Sequence, residues 1–164
     1  MTSIHTVRPT HEGDLLVNGH ARVPGKLTVT GSLTVYGVLF DEGPDCRITV
    51  GGELTAAGVF VDGDLHVTGD IRAEVLYCAA IPDTTPKTGV IHSRLIMEDD
   101  YRRWRSRLGD ATHVDVAADD LSADGEVVRR LRKLLTPDVF DANGFDHRAL
   151  FDLMIDGRPV FLPG

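Results

Sequence analysis

Apolar and polar residues alternate through the first half of the chain, and a glycine recurs at every sixth position. The repeating unit is Gly-x-Leu-x-Val-x, as in the segment that contains Leu27 and Val29. Its phase shifts by three residues before Gly52 and by one residue before Gly63. The first unbroken series of glycines consists of Gly13, Gly19, Gly25, Gly31, Gly37 and Gly43.

This alternation predicts short β-strands that place their apolar residues on one face. A glycine at the edge of each strand suits a sharp corner, where a side chain would crowd the bend. Three six-residue sides make a coil of about 18 residues, and stacked coils bury their inner faces on one another. Residues 13–74 therefore predict three to four coils of a parallel β-helix. An antiparallel meander or barrel is the alternative, but it would place turns about 8–12 residues apart and would not need glycine in phase.

The periodicity changes after residue 80 and becomes largely helical. Residues 90–97 predict one more strand, and the acidic run 98–100 favours the start of a helix. Arginines at 102–107 surround the other sides of that helix and are predicted to be a solvated face. Three residues share its apolar face: Tyr101, Trp104 and Leu108.

Further elements follow in the last 50 or so residues. Residues 113–117 alternate as a short strand, and Asp124 is a candidate N-cap for a helix that ends at Leu135. Asp146 is predicted to cap the last helix, and Gly157 to end it in the left-handed conformation. The predicted fold class is thus mainly β with α. Residues 1–97 form the parallel β-helix, and residues 98–164 form an α-helical cap packed on it.

The repeat resembles that of bactofilins, the polymer-forming bacterial β-helix proteins. The resemblance is carried by the segments 13–19, 25–31 and 63–69, each of the form Gly-x-Leu-x-Val-x-Gly. It implies a short right-handed, three-sided helix. Left-handed hexapeptide helices instead place an aliphatic residue before each glycine. Here the residues at those positions are Asn18, Pro24, Thr30 and Tyr36.

The whole chain also resembles uncharacterised bacterial β-helix proteins that have a helical C-terminal part. The segments that carry this resemblance are Leu-Leu-Thr-Pro-Asp-Val-Phe-Asp at 134–141 and Leu-Phe-Asp-Leu-Met-Ile-Asp-Gly-Arg-Pro-Val-Phe at 150–161. Some of those proteins belong to toxin–immunity systems. The resemblance therefore implies an immunity-type function.

The formal net charge of −8 argues against a nucleic-acid partner, which would require clustered lysine and arginine, and it favours a basic protein. No stretch reaches the roughly 18 apolar residues of a membrane span. The N-terminus lacks the basic and apolar regions of a signal peptide. Cys46 and Cys78 do not make a disulfide framework. We expect reduced thiols and a cytoplasmic protein. A single disulfide between the two cysteines is the alternative.

Candidate chemistry is sparse. The seven histidines lack the spacing that places two metal ligands on one helix face, and there is no Cys-x-x-Cys, nucleophile elbow or phosphate loop. His20 and His66 fall at outward positions, and a metal site shared between subunits stays open. Four aspartates beside glycines are predicted to be turn formers: Asp14, Asp62, Asp64 and Asp70. The sequence predicts no catalytic, cofactor-binding or metal-binding residues.

The hypothesis that best fits these observations is a non-enzymatic protein-binding module. Its expected partner is a basic bacterial toxin. The sequence is also compatible with a homodimer. The acidic segments 41–45, 110–120 and 138–146 are candidate contacts. A scaffold that polymerises like bactofilins and an enzyme built on a solenoid frame are the alternatives. The candidate partner-binding residues are Tyr36, Asp41, Glu42, Asp45, His66, Asp115, Asp119 and Asp120.

Overall fold

The computed structural model describes residues 3–78, 89–98, 111–115 and 119–164. Its main feature is a parallel β-solenoid of about five turns, which confirms the parallel β-helix predicted from the repeat. The strands are β1 (Ile4–Thr6), β2 (Thr10–His11), β3 (Leu15–Val17), β4 (His20–Val23), β5 (Lys26–Val29), β6 (Leu33–Asp41), β7 (Arg47–Val50), β8 (Leu54–Val61), β9 (Asp64–Val67), β10 (Ile71–Cys78), β11 (Ile91–His92), β12 (Leu95–Glu98), β13 (Thr112–Asp115), β14 (Phe140–Asp141) and β15 (Gly144–Phe145). The helices are α1 (Glu126–Leu131), α2 (His147–Ile155) and a 3-10 turn, Pro137–Val139.

The solenoid has three sides, and the long strands β6, β8 and β10 each bend across two of them. Side 1 contains β3, the first halves of the long strands, and β11. Side 2 contains β1, β4, the second halves of the long strands, β12 and β13. Side 3 is the separate sheet β2-β5-β7-β9. All these pairings are parallel, so successive coils stack along one axis.

The two phase shifts of the sequence lie at defined places in the coil. Val23 pairs with Asp41 and Lys26 pairs with Arg47, so three extra residues are accommodated in the corner 42–46. The one-residue shift lies at the bend between sides 1 and 2. There, residues 36–37 of one coil align with residue 57 alone in the next. The irregularities are therefore local, and the register of the strands continues through them.

One corner of the solenoid is a column of stacked glycines. Each glycine N–H donates to the carbonyl of the glycine one coil earlier, over distances of 2.8–3.0 Å. A Cβ at Gly31 would meet the Asp14 carboxylate, the Gly13 carbonyl carbon at 2.6 Å and the Asp14 nitrogen at 2.7 Å. The column consists of Gly13, Gly31, Gly52, Gly69 and Gly89.

The residue after three of these glycines joins its coil to the next through its side chain. Asp14 Oδ1 accepts the Ser32 N–H at 2.8 Å, and Ser32 Oγ accepts the Glu53 N–H at 3.0 Å. Further along the solenoid, Asp70 Oδ1 accepts the Val90 N–H at 2.9 Å, a bond that lowers the pKa of Asp70. Asp14 and Asp70 thus link neighbouring coils through their carboxylates. The prediction that Asp64 forms a turn was wrong, because Asp64 lies in strand β9.

Two hydrophobic cores follow from this arrangement. The first fills the solenoid with inward-facing aliphatic residues such as Leu27, Leu33 and Ile71, all fully buried. Cys46 and Cys78 are buried and free, and burial raises the pKa of the Cys78 thiol. The second core lies on the outer face of side 2. It joins Val38, Phe60, Val75, Leu95 and Met97 to Leu131, Leu135, Val139, Leu150 and Leu153. The C-terminal segments therefore cover a flank of the solenoid.

Several local predictions were wrong in the C-terminal half. Glu98, predicted at a helix start, is the buried last residue of strand β12. The residue that precedes α1 as its N-cap is Gly125, and Asp124 makes no capping bond. The helix ends at Leu131, four residues earlier than predicted, and is followed by turns at 132–134 and by a β-bridge from Leu135 to Phe161. The predicted helix and arginine cluster at 101–108 lie outside the described residues.

Other local predictions are confirmed. The strand predicted from residue 113 is β13, which extends the parallel sheet past residue 97. Asp146 caps α2, and Gly157 has a φ of 69°. The division into a β-helix and a helical cap stays a prediction. Among the described residues, every helix is too short or too polar to cross a membrane.

Replacing Asp146 by alanine is expected to lower the free energy of unfolding by about 1 kcal/mol. The carboxylate accepts the N–H groups of Arg148 and Ala149, which otherwise have no partner within the helix. Asp124→Ala is the matched control, because Asp124 makes no such bond at α1. Urea unfolding followed by circular dichroism measures both. Equal losses in the two variants would contradict the assignment of the cap.

Candidate functional site

A column of aromatic side chains runs along the outer face of side 2. Phe40, Phe60 and Tyr77 are register partners on β6, β8 and β10, so their side chains stack coil upon coil. Helix α2 lies across this column. Its Phe151 meets Phe40 and Phe60 edge to face, with ring centroids 5.3 Å and 5.2 Å apart. Each such edge-to-face contact contributes about 1 kcal/mol of stability in addition to the burial of apolar area. The two contacts therefore hold the helix on the sheet.

A groove of about 490 Å³ lies between the aromatic column, the adjoining strand corner and α2. We call it the aromatic groove. Its floor is aromatic, and most of the charged residues around it are acidic. The residues that line it are Phe40, Asp41, Glu42, Phe60, Asp62, Tyr77, His147, Arg148, Phe151 and Asp152.

Tyr77 lies in the middle of the ring stack. It stacks with Phe60 on one side, with centroids 5.9 Å apart, and with His147 of α2, with centroids 5.2 Å apart. Burial raises the pKa of Tyr77, and the negative charge of Asp62 raises it further. The phenol is therefore neutral at physiological pH, and this part of the groove carries a negative potential.

Asp41 closes the strand corner beside the groove. Its Oδ1 accepts the Asp62 N–H at 2.9 Å, and its Oδ2 accepts the Gly63 N–H at 2.8 Å. Burial raises the pKa of Asp41 although these two bonds oppose the shift. Because both oxygens are engaged, the accessible carboxylates at the groove are those of Glu42, Asp62 and Asp152, all exposed. Glu42 also contacts Arg22, with Nε to Oε1 at 3.4 Å.

His20 fixes the far end of α2. It points away from the solenoid interior, as its phase predicts, yet it is only 2% exposed because α2 covers it. Its Nδ1 accepts the Val38 N–H at 2.9 Å, and its Nε2 lies 2.8 Å from the Ile155 carbonyl. These two partners require a neutral ring with its proton on Nε2. One side chain thus connects an early coil of the solenoid to the end of the last helix.

The predicted partner-binding residues do not form one site. Asp41 and Glu42 line the aromatic groove, and Asp45 is exposed in the same corner, outside the groove. Tyr36 is 63% exposed at the bend between sides 1 and 2. His66 lies on side 3, in β9.

The other acidic candidates lie at the far end of side 2. The Asp115 N–H donates to Asp119 Oδ2 at 2.8 Å, and Asp120 Oδ1 accepts the Ser122 N–H at 3.0 Å. Hydrogen bonds from the Ser122 hydroxyl and then from its N–H lower the pKa of Asp120. Four strand steps separate Asp41 from Asp115, a distance of about 19 Å. Asp41 and Asp115 therefore lie on two separate surfaces.

The aromatic half of the groove was missed from the sequence. Its signal was available, because Phe40, Phe60 and Tyr77 occupy outward positions of successive coils. Their spacing is irregular, 20 and then 17 residues, so the column emerges only after the bend and the corner insertion are aligned. Phe151 and His147 come from a distant part of the chain, and no local pattern links them to these strands.

One further polar pair is buried at the C-terminal end of the solenoid. His113 Nε2 lies 2.9 Å from Glu98 Oε1, and Glu98 is 1% exposed. This pair lies on neighbouring strands and completes the last described coil. In the part of the chain that the structure describes, no three histidine, cysteine, aspartate or glutamate side chains come together as a metal site.

Comparison with known proteins adds no family to this picture. The chain matches no protein-family model, no curated protein and no solved structure.

Proposed function

We propose that this protein is a non-enzymatic binding module whose partner is a basic protein. The observation that carries the proposal is the acidic corner 41–45, which lies directly beside the aromatic groove. Protein interfaces favour aromatic residues at their centre and charged residues at the rim. The groove and the corner together offer that arrangement on a rigid frame of stacked strands. A rigid surface loses little conformational entropy on binding.

Electrostatics supports a positively charged partner. The chain has a formal net charge of −8, and the exposed carboxylates at this surface are those of Glu42, Asp45, Asp62 and Asp152. A surface of one sign steers an oppositely charged protein and raises its association rate. Binding through it should weaken as salt is added, because exposed charges are screened over about 10 Å at 0.1 M salt.

A cognate bacterial toxin is the partner class that we favour, and it rests on the resemblance to immunity-associated β-helix proteins. In such a role the protein would occupy a basic surface of the toxin and block its action. The right-handed path of the coil, the capping role of the C-terminal part and a cytoplasmic location belong to the same proposal.

The proposal is tested by immobilising the tagged full-length protein and measuring whether it retains a basic protein from an extract of the native host. We expect a partner of basic pI that is retained at 50 mM salt and released by about 0.5 M salt. Glu42→Lys with Asp45→Lys should abolish retention. Glu12→Lys with Glu53→Lys, exposed acids elsewhere on the solenoid, should leave it unchanged. Failure to retain any basic protein at low salt, and the absence of a toxin gene beside this one, would exclude the proposal.

A structural scaffold is the second candidate, and a specific observation favours it. Strand β1 is the outermost strand of its sheet among the described residues, and all three of its residues are exposed. Ile4 is 50% exposed, and Leu16 in the same region is 58% exposed. An open strand edge with apolar neighbours is a template for pairing with another chain. Filaments or concentration-dependent oligomers in electron microscopy and sedimentation would support this candidate, and one small species at every concentration would exclude it.

A further inference from the structure

We infer that the aromatic groove binds one arginine side chain of the partner. The guanidinium would lie against the rings of the floor and pair with carboxylates of the rim. This inference rests on the proposed function and specifies what the site recognises. The charge of the rim, the aromatic character of the floor and the planarity of the guanidinium support it.

The rim of the groove favours a cation. Among the residues that line it, four carry carboxyl groups, against one arginine, Arg148, and one histidine, His147. Both carboxylate oxygens of Asp41 accept backbone N–H groups. Asp41 therefore adds negative charge near the groove but is not available to bind a ligand. Asp62 at the strand corner and Asp152 on α2 are exposed, and they border the groove from its two walls. An anionic ligand would meet these carboxylates with repulsion.

The aromatic floor of the groove favours a cation that is flat and weakly hydrated. Phe40 is half-buried and lines the groove, so part of its side chain stays open to a ligand. Tyr77 is also half-buried, but its ring stacks with both Phe60 and His147, so the groove reaches it only at the edge of the stack. This stack, together with the edge-to-face contact between Phe151 and Phe40, holds the aromatic residues in place before any ligand arrives. A cation placed against the face of such a ring is attracted by the ring quadrupole, and more strongly as water is excluded.

Arginine fits both features better than lysine does. Its guanidinium is planar and weakly hydrated, so it can stack on a ring while its forked N–H groups reach carboxylates. The lysine ammonium is a compact, strongly hydrated charge that gains less from a flat aromatic floor. A groove of about 490 Å³ also leaves room for the aliphatic stem and the adjoining backbone of the partner.

The experiment uses the full-length ¹⁵N-labelled protein and a defined probe, N-acetyl-arginine amide. Its neutral isostere, N-acetyl-citrulline amide, is the matched control ligand. We expect saturable amide shifts at Phe60, Asp62, Tyr77 and Phe151 with arginine and none with citrulline. Asp62→Asn should weaken binding by up to about fivefold, as for an exposed ion pair. Glu12→Gln, at an exposed acid elsewhere on the solenoid, should leave the affinity unchanged.

Three results would overturn the inference. These are the absence of localised shifts, equal binding of citrulline, and tighter binding of the lysine counterpart. The experiments also distinguish failure of the arginine inference from failure of the proposed binding function. If the wild type and a variant with Asp62→Asn and Asp152→Asn retain the basic partner equally, the arginine site is wrong while the binding function stands. If no basic partner is retained at all, the function is wrong whatever the titration shows.

Discussion

Gly31→Ala is expected to lower the free energy of unfolding by about 2–3 kcal/mol, while Gly25→Ala changes it by less than about 0.5 kcal/mol. Both glycines belong to the same six-residue series, and neither has a left-handed backbone conformation. The difference lies in their surroundings. A Cβ at Gly31 would meet the backbone of Gly13 and Asp14 at 2.6–2.7 Å, whereas a Cβ at Gly25 would meet nothing within 4 Å.

The cost at Gly31 arises because backbone atoms cannot rotate away as a side chain can. Relief would require the two coils to separate, which would lengthen the Gly31–Gly13 bond of 3.0 Å and the Ser32–Asp14 bond of 2.8 Å. Urea denaturation of the two variants beside the wild type measures the difference. Equal stability of Gly31→Ala and Gly25→Ala would show that the glycine column does not set the spacing of the coils.

The fold was predictable because its signal is repeated. Each coil contributes the same alternation, so a local error at one corner does not change the conclusion drawn from the others. The glycine series indicated corners correctly, but it could not distinguish Gly31, which is in the packed column, from Gly25, which is not. That distinction depends on which atoms of the preceding coil lie beside each glycine, and the local sequence does not give them.

The C-terminal half was less predictable because its elements are short and are held by tertiary contacts. Helix α1 has 6 residues, too few to be stable on intrinsic propensity, so its end depends on packing against side 2. Glu98 illustrates the same limit. An acidic residue before a helical pattern favours a helix start, yet the parallel sheet extends to this residue and pairs it with Cys78 and Asp115.

The candidate site was predictable only in its acidic part. Glu42 and Asp45 stood out because charged residues cluster in the corner that interrupts the repeat. The aromatic floor requires the register of three coils and the docking of α2, a helix more than 60 residues further along the chain than Tyr77. Long-range juxtapositions of this kind leave no trace in local periodicity.

His20→Leu is expected to have the other large effect, a loss of about 2–4 kcal/mol in the free energy of unfolding. Leucine fills a similar volume but removes both hydrogen bonds, which leaves the buried Val38 N–H and the half-buried Ile155 carbonyl without their histidine partner. His11→Leu is the control. Its Nε2 lies 2.8 Å from the Asp14 carbonyl at an exposed place, where water can replace it.

His20→Asn separates the two bonds. Its side-chain oxygen can take the place of Nδ1 and accept the Val38 N–H, but its shorter side chain cannot reach Ile155. We therefore expect about half the loss of His20→Leu, accompanied by faster hydrogen exchange in the last turn of α2. Because α2 forms one wall of the aromatic groove, the same variant should loosen Phe151 from Phe40 and Phe60. Unchanged exchange in α2 would mean that the aromatic contacts alone hold the helix, and that His20 serves the solenoid rather than the groove.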